Sequence, residues 1–357
     1  MDNFFDINAF LTKAVSVGAS DEHLHLGEPP IIRKLGSIMK TNMPALNLDD
    51  LNGALIKMVP KERRDNLESV MDLDFTYEIP GVSRFRVNYN KQLGCPSFVI
   101  RNIPYQIKTF DELGLPQTIK QFTKCHNGIV LVTGPTGSGK STTLAAIIEL
   151  FNSTFSRHIL TIEDPVEFMF KSKKSVISQR QVGLDTESFS SGLKYAMRQD
   201  PDIILIGEIR DRETIEAALK AAETGHLVFS TLHTNDAVQT INRVVNMFDV
   251  SDRENMRCQF AEVLRGTIAQ KLVYSKSLDK RFAAQEIMVS TPTVRDYIIK
   301  NCIDKIYELL ADGGINEMIS LNNSLIKLVE EKKISQEEAL AASNDPDQMA
   351  KFFRGAY

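Results

Sequence analysis

The segment Gly134-Pro135-Thr136-Gly137-Ser138-Gly139-Lys140-Ser141 constrains this chain more than any other feature. It satisfies the pattern G-x-x-x-x-G-K-[ST] at every defined position. An apolar run, Ile129 to Val132, precedes it, and Leu144, Ile147, Ile148 and Phe151 follow at helical spacing. At such a strand-to-helix junction the glycines let backbone N–H groups turn inward around phosphate oxygens, at the positive end of the helix. Lys140 then reaches the β and γ phosphates, and the Ser141 hydroxyl binds the magnesium ion that accompanies them. A plain glycine-rich turn needs neither side chain. Further apolar runs at His158 to Ile162, Ile203 to Ile206 and Leu227 to Ser230 alternate with helical stretches such as Thr214 to Glu223. This predicts an α/β region built on a largely parallel, doubly wound sheet.

A phosphate cradle needs a carboxylate for the metal and a group to handle water. Asp202-Ile203-Ile204-Leu205-Ile206-Gly207-Glu208 is an apolar strand that ends in an acid, the layout of a Walker B element with Glu208 in the acidic position. The strand before it ends in Thr161-Ile162-Glu163-Asp164-Pro165-Val166-Glu167, where Glu163 is the candidate general base. A loop of solvated carboxylates is the alternative reading of that cluster. His226 and His233 bracket the strand Leu227 to Leu232, within expected reach of a γ-phosphate or its attacking water. Packed or solvated histidines are the alternative there.

The N-terminal third reads as an α+β unit. Ile7, Phe10, Leu11 and Ala14 repeat at helical spacing before Gly18, and His23 to Ile38 is strand-like with breaks at Gly27 and Pro29-Pro30. Leu51 to Val70 reads as helix, and strands follow at Phe75 to Ile79, Arg84 to Tyr89 and Phe98 to Ile103. From Ile79 to Ile107 there are four basic residues, Arg84, Arg86, Lys91 and Arg101, and no acid. A period of two puts Arg84 and Arg86 on one face and Phe85, Val87 and Tyr89 on the other. That face is either solvated or seeks an anion, such as a phosphate bound on a neighbouring copy. The domain expectation is therefore 1–104 as the N-terminal unit, 105–116 as linker, and 117–357 as the second domain with a helical tail. In that tail Leu321, Leu325, Leu328 and Val329 form one stripe, and Ser335 to Glu338 has the form of a capping box.

Composition narrows the function classes. The 357 residues carry 42 basic and 46 acidic side chains, a net charge of −4, with no basic arm or aromatic-interleaved basic groove. A nucleic-acid partner is not expected on that ground. No apolar run approaches the roughly 20 residues of a membrane span, and Met1-Asp2-Asn3-Phe4-Phe5-Asp6 does not read as a secretory signal. Cys95, Cys125, Cys258 and Cys302 form no C-x-x-C pair, which fits reduced thiols in a cytoplasmic protein.

Together these motifs resemble the secretion ATPase superfamily, in particular its PilT-like type IV pilus retraction ATPases. The likeness runs from Gly18-Ala19-Ser20-Asp21 and Ser83 to Asn88 through the glycine-rich segment with Thr142, Thr143 and Leu144. It continues through Ile162 to Glu167, known in the family as the Asp box, and Arg198-Gln199-Asp200-Pro201-Asp202 with Gly207-Glu208-Ile209-Arg210-Asp211. It ends with Glu223-Thr224-Gly225-His226 and Ser230 to Asn235, the His box. The resemblance implies a PAS-like α+β N-terminal domain, a RecA-like P-loop ATPase domain with a helical C-terminal tail, and a homohexameric ring. It implies ATP and Mg2+ as ligands, held by Gly134 to Thr142, with Ser141 and Glu208 on the metal. It also implies Glu163 as catalytic glutamate, His226 and His233 as phosphate sensors, Arg86 and Arg101 as arginines acting in trans, and Arg198 and Arg210 near the subunit interface. Its partners would be an inner-membrane pilus platform protein and, through it, pilin, with the ring cytoplasmic and peripheral to that membrane. Where retraction ATPases carry an A-I-R-N-L-I-R-E type motif, this chain reads Thr293-Val294-Arg295-Asp296-Tyr297-Ile298-Ile299-Lys300. An accessory retraction paralogue, a type II or type IV secretion ATPase, a nucleic-acid translocase and a nucleotide-binding regulator without turnover are the other readings.

Overall fold

In the computed structural model of the chain, the stripe Ile7, Phe10, Leu11 and Ala14 is the buried face of helix α1 (Ile7–Ser16). Asp6 caps it, accepting from the Asn8 N–H at 3.0 Å. The residues described are 5–34, 36–60, 64, 70–103, 106–311 and 318–355. The chain divides into two compact units, Met1–Gln106 with Glu167–Met169, and Ile107–Val166 with Phe170–Tyr357.

In the first unit, α1 is followed by β1 (Asp21–Leu24), β2 (Ile31–Lys34), β3 (Ser37–Lys40), α2 (Leu48–Met58), β4 (Asp72–Ile79), β5 (Ser83–Gln92) and β6 (Cys95–Ile103). The strands pair in the antiparallel order β3-β2-β1-β6-β5-β4. Phe85, Val87 and Tyr89 on β5 join Phe98, Ile100 and the apolar faces of α1 and α2 in one core. Arg84 and Arg86 lie on the opposite face, as the period of two requires. The helix expected over Leu51 to Val70 starts earlier and stops at Met58. Val59, which precedes Pro60, is extended at φ −69°, ψ 131°, because a following proline disfavours helical backbone. Residues 61–63 and 65–69 of that stretch lie outside the described residues.

The second unit runs β7 (Gly128–Thr133), α3 (Lys140–Thr154), β8 (His158–Glu163), β9 (Val176–Gln181), α4 (Phe189–Ala196), β10 (Ile203–Ile206), α5 (Arg212–Glu223), β11 (Leu227–Leu232), α6 (Ala237–Asn246) and α7 (Arg253–Val263). A long hairpin, β12 (Leu264–Ser275) and β13 (Lys280–Val289), leads to α8 (Pro292–Ile299), α9 (Lys305–Ala311), α10 (Leu321–Glu330), α11 (Gln336–Ala342) and α12 (Pro346–Phe353). The sheet order is β13-β12-β7-β11-β10-β8-β9, parallel except for the β12/β13 pair. Helices cover both faces: Ile129 and Leu131 pack with α4, α5 and α6, while Val130 and Val132 pack with Leu144, Ile147, Ile148 and Phe151 of α3. Burial on two faces explains why these strands read as continuous apolar runs. Phe110 and Leu115, in the stretch expected as linker, are buried in the core of this second unit. The capping box at Ser335 and Glu338 is formed, and Leu321, Leu325 and Leu328 pack on Val273 and Ala284 of the hairpin.

Because β7, β8, β10 and β11 are parallel, their carboxyl ends share one edge. Thr133 is in register with Leu232, and Ile206 with both Ile162 and Ser230. Every group that leaves those ends is delivered to one place.

Candidate active site

The glycine-rich loop leaves β7 at Thr133 and enters α3 at Lys140, with Gly139 as N-cap in the left-handed region at φ 87°. Gly134 has φ 142°, and a Cβ there would lie 2.3 Å from the Gln270 carbonyl oxygen and 2.6 Å from Ser138 Oγ. Only glycine fits so close to β12. The Lys140 ammonium folds across the loop, donating to the carbonyl oxygens of Gly134 at 2.8 Å and Pro135 at 3.1 Å. Ser141 is exposed in the first turn of α3 and Thr142 half-buried beside it, while Pro135, Thr136 and Gly137 form the exposed rim and Ser138 is buried. A backbone nest, an ammonium group and a helix N-terminus thus converge as an anion requires.

Glu163 ends β8 and is 8% exposed. Its Oε1 accepts from Thr161 Oγ1 at 2.7 Å and from Gln179 Nε2 at 3.3 Å. Two bonds to one oxygen fix the carboxylate plane, as positioning a base for a water molecule demands. Gln179 comes from β9, a strand absent from the sequence expectations. The Asp164–Pro165 peptide that follows is cis.

Glu208 lies two residues past β10, its side chain 17% exposed. Arg210 Nη2 donates to its Oε1, and that bond holds the guanidinium above its ordinary pKa. His233 Nε2, just beyond β11, lies 3.5 Å from its Oε2. The backbone is clipped in this corner: Thr231 Oγ1 donates to the Gly207 carbonyl at 2.7 Å, and Gly207 N–H to the Ile162 carbonyl at 2.8 Å. The loop, Glu163, Glu208, Arg210 and His233 are therefore gathered at the carboxyl edge of one sheet.

His226 and Arg198 are not brought to that edge. His226 precedes β11, its carbonyl accepts from Gly128 N–H at the start of β7, and its Nδ1 lies 2.9 Å from the Ala221 carbonyl. A strand rises about 3.3 Å per residue, so His226 and His233 stand roughly 20 Å apart, at opposite ends of β11. Of the two histidines expected as phosphate sensors, His233 stands at the carboxyl edge beside the loop and His226 at the amino edge of the same strand. Arg198 is exposed, before β10, at the same far edge as His226. There Asp202 bonds Arg157 Nη1 at 3.0 Å and His158 N–H at 2.8 Å, which fastens the starts of β8 and β10.

In the first unit, Arg86 and Arg101 are register partners on β5 and β6. Arg101 Nε donates to Asp21 Oδ1 at 2.9 Å. Among the described residues no hydrogen bond or ion pair engages the Arg86 side chain. The two expected arginines are thus neighbours in different states, one held by a carboxylate.

The residue that sequence reasoning missed is Gln270 on β12. It is 2% exposed, its Nε2 donates to the Ser138 carbonyl at 2.6 Å, and its Oε1 accepts from Thr143 Oγ1 at 2.7 Å. No local pattern marks it, since its partners are 132 and 127 residues away.

Comparison with known proteins places this geometry. The family model described as "Type II/IV secretion system protein" matches residues 6–353. The type IV pilus retraction ATPase PilT of Pseudomonas aeruginosa is 44% identical over 343 residues, covering 96% of this chain and 99% of that protein. The type IV pilus ATPase PilU of the same organism is 32% identical over 344 residues, covering 96% and 90%. A crystal structure of the pilus retraction motor PilT with bound ADP superposes with a TM-score of 0.87 at 40% identity, over 96% of this chain and 98% of that one. A family model spanning nearly the whole sequence, with full-length relatives above 30% identity, settles the assignment: the chain belongs to the type II/IV secretion system protein family.

Proposed function

We propose that this chain is an ATP-hydrolysing motor that drives type IV pilus retraction. One observation carries the reading: a P-loop and two glutamates share one sheet edge, in a chain 44% identical over 96% of its length to a retraction ATPase. The loop N–H groups and Lys140 bind the phosphates of ATP, and Glu163 accepts the proton of the attacking water as its oxygen bonds to the γ-phosphorus. The bond from that phosphorus to the bridging oxygen breaks, and its electron pair leaves with ADP. Ser141 and Glu208 would hold Mg2+, which would supply charge neutralisation to the phosphates. His233 and Arg210 flank Glu208, where the departing phosphate is sensed.

The ring is a homohexamer, and Arg86 with Arg101 act in trans on a neighbouring copy's phosphates. Arg198 and His226, at the far edge of the sheet, belong to the subunit interface in this reading. The ring works at the cytoplasmic face of the inner membrane, against a platform protein and through it on pilin. Among the described residues no helix is long and apolar enough to cross a membrane. An accessory retraction role is the second reading, favoured by the segment Thr293 to Lys300, which lies in α8 and its C-cap but keeps only part of the family motif. The test is genetic. Expressed in a strain lacking its retraction ATPase, the chain restores twitching and the Lys140→Ala variant does not. An accessory protein restores nothing unless the resident motor is present.

A further inference from the structure

The buried amide of Gln270 is placed where it governs the loop rather than merely filling a gap. A primary amide offers two N–H donors and two acceptor lone pairs. Here one donor goes to the Ser138 carbonyl at 2.6 Å, and the oxygen accepts twice, from Thr143 Oγ1 and from Gln285 Nε2, both at 2.7 Å. Ser138 and Thr143 bracket the junction of loop and helix. The backbone of Gln270 confines the other end of the loop, its carbonyl oxygen being the atom that a side chain at Gly134 would strike. Its side chain also closes on Gly139, where a Cβ would lie 2.9 Å from Nε2. Gln285, buried on β13, is itself tied to α10, its N–H donating to Ser324 Oγ at 2.9 Å.

The consequence follows from the peptide bond. In a planar trans peptide the carbonyl and the next N–H point in opposite directions. Anchoring the Ser138 carbonyl on Gln270 turns the Gly139 N–H away from β12. That N–H is one of the P-loop groups that cradle phosphate oxygens.

We propose that Gln270 is a positioning residue for the phosphate-binding loop: it presets the Ser138–Gly139 peptide so that the loop meets the nucleotide already formed. The proposal rests on the P-loop reading above and adds a determinant from the sheet's hairpin. Loop amides that hold the α and β phosphates act equally before and during transfer, so losing their preset orientation weakens binding and spares the chemical step.

Steady-state phosphate release by the full-length protein and ADP binding by calorimetry test it. For Gln270→Leu, KM for Mg-ATP and Kd for ADP both rise roughly tenfold, the equivalent of one or two buried hydrogen bonds, while kcat stays within about threefold. Gln270→Glu supplies a second, pH-dependent reading. Its ionised carboxylate sets an acceptor against the Ser138 carbonyl, whereas its protonated form restores a donor. Relative to wild type, its Kd for ADP therefore improves as pH falls from 8 to 5.5. An unchanged KM and Kd in Gln270→Leu overturns the proposal, as does a Gln270→Glu deficit that ignores pH. The wild type in the same assay separates this from the underlying reading: no turnover and no ADP binding there removes the P-loop assignment itself.

Discussion

The two sheets of this protein present chemistry in different ways. In the parallel sheet both faces of the central strands are buried, and Glu163, Glu208, His233 and the loop collect at one edge where those strands end. In the antiparallel sheet one face is open, and its polar groups form rows across strands. Register aligns Arg33, Asp21, Arg101, Arg86 and Thr76 on β2, β1, β6, β5 and β4. An edge concentrates groups for bond breaking. A face spreads charge over an area, as reaching an anion on another molecule requires.

The largest expected effect separates the two sheets. Lys140→Ala removes the cation inside the loop and lowers phosphate release by roughly 10²–10³-fold or more, while the melting temperature without nucleotide moves little. Retained turnover would take the phosphates away from the parallel-sheet edge.

The next effect belongs to the open face. Arg86→Ala in the assembled ring lowers turnover by about 10³-fold, the lower end of what an arginine acting in trans supplies, with nucleotide binding by a dilute single subunit unchanged. Arg101→Ala costs less, because Asp21 already engages that guanidinium. Equal losses in the two variants would remove the distinction drawn from the ion pair. No loss in either would leave the row as a solvated surface.

The smallest effect concerns an acid buried beneath that face. Glu22 on β1 is 0% exposed, accepts from Asn102 Nδ2 at 2.9 Å, and is pushed by burial from 4.5 to about 8. Folding therefore favours its protonated form. The associated stability is fully present below the unfolded value and is lost as pH rises through about 8. Glu22→Gln, which cannot ionise, is expected to raise the melting temperature at pH 8 by roughly 2–8 °C and to change it little at pH 4. Equal melting curves at pH 8 would show that the carboxyl is not held neutral.

The same contrast governs what could be read from sequence. The loop, Glu163 and Glu208 are legible because strand-end chemistry is written contiguously: an apolar run, then the functional residue. Arg84 and Arg86 are half legible, since alternation within β5 assigns their face, but the partnership of Arg101 with Asp21 depends on strand pairing across 80 residues. Gln270 is illegible for the same reason in a stronger form. β9 escaped because its exposed Val176 and polar Ser178, Gln179 and Arg180 suit an edge strand without an apolar run.

In the proposed mechanism Glu163 is the base, at the carboxyl edge of the parallel sheet. The most direct test measures phosphate release and Mg-ATP binding by the wild type and by Glu163→Gln. The wild type is expected to turn over, and the variant to bind Mg-ATP equally well but release phosphate roughly 10²–10⁴-fold more slowly. Equal rates in the two proteins, or a wild type that binds and never releases phosphate, would contradict that mechanism.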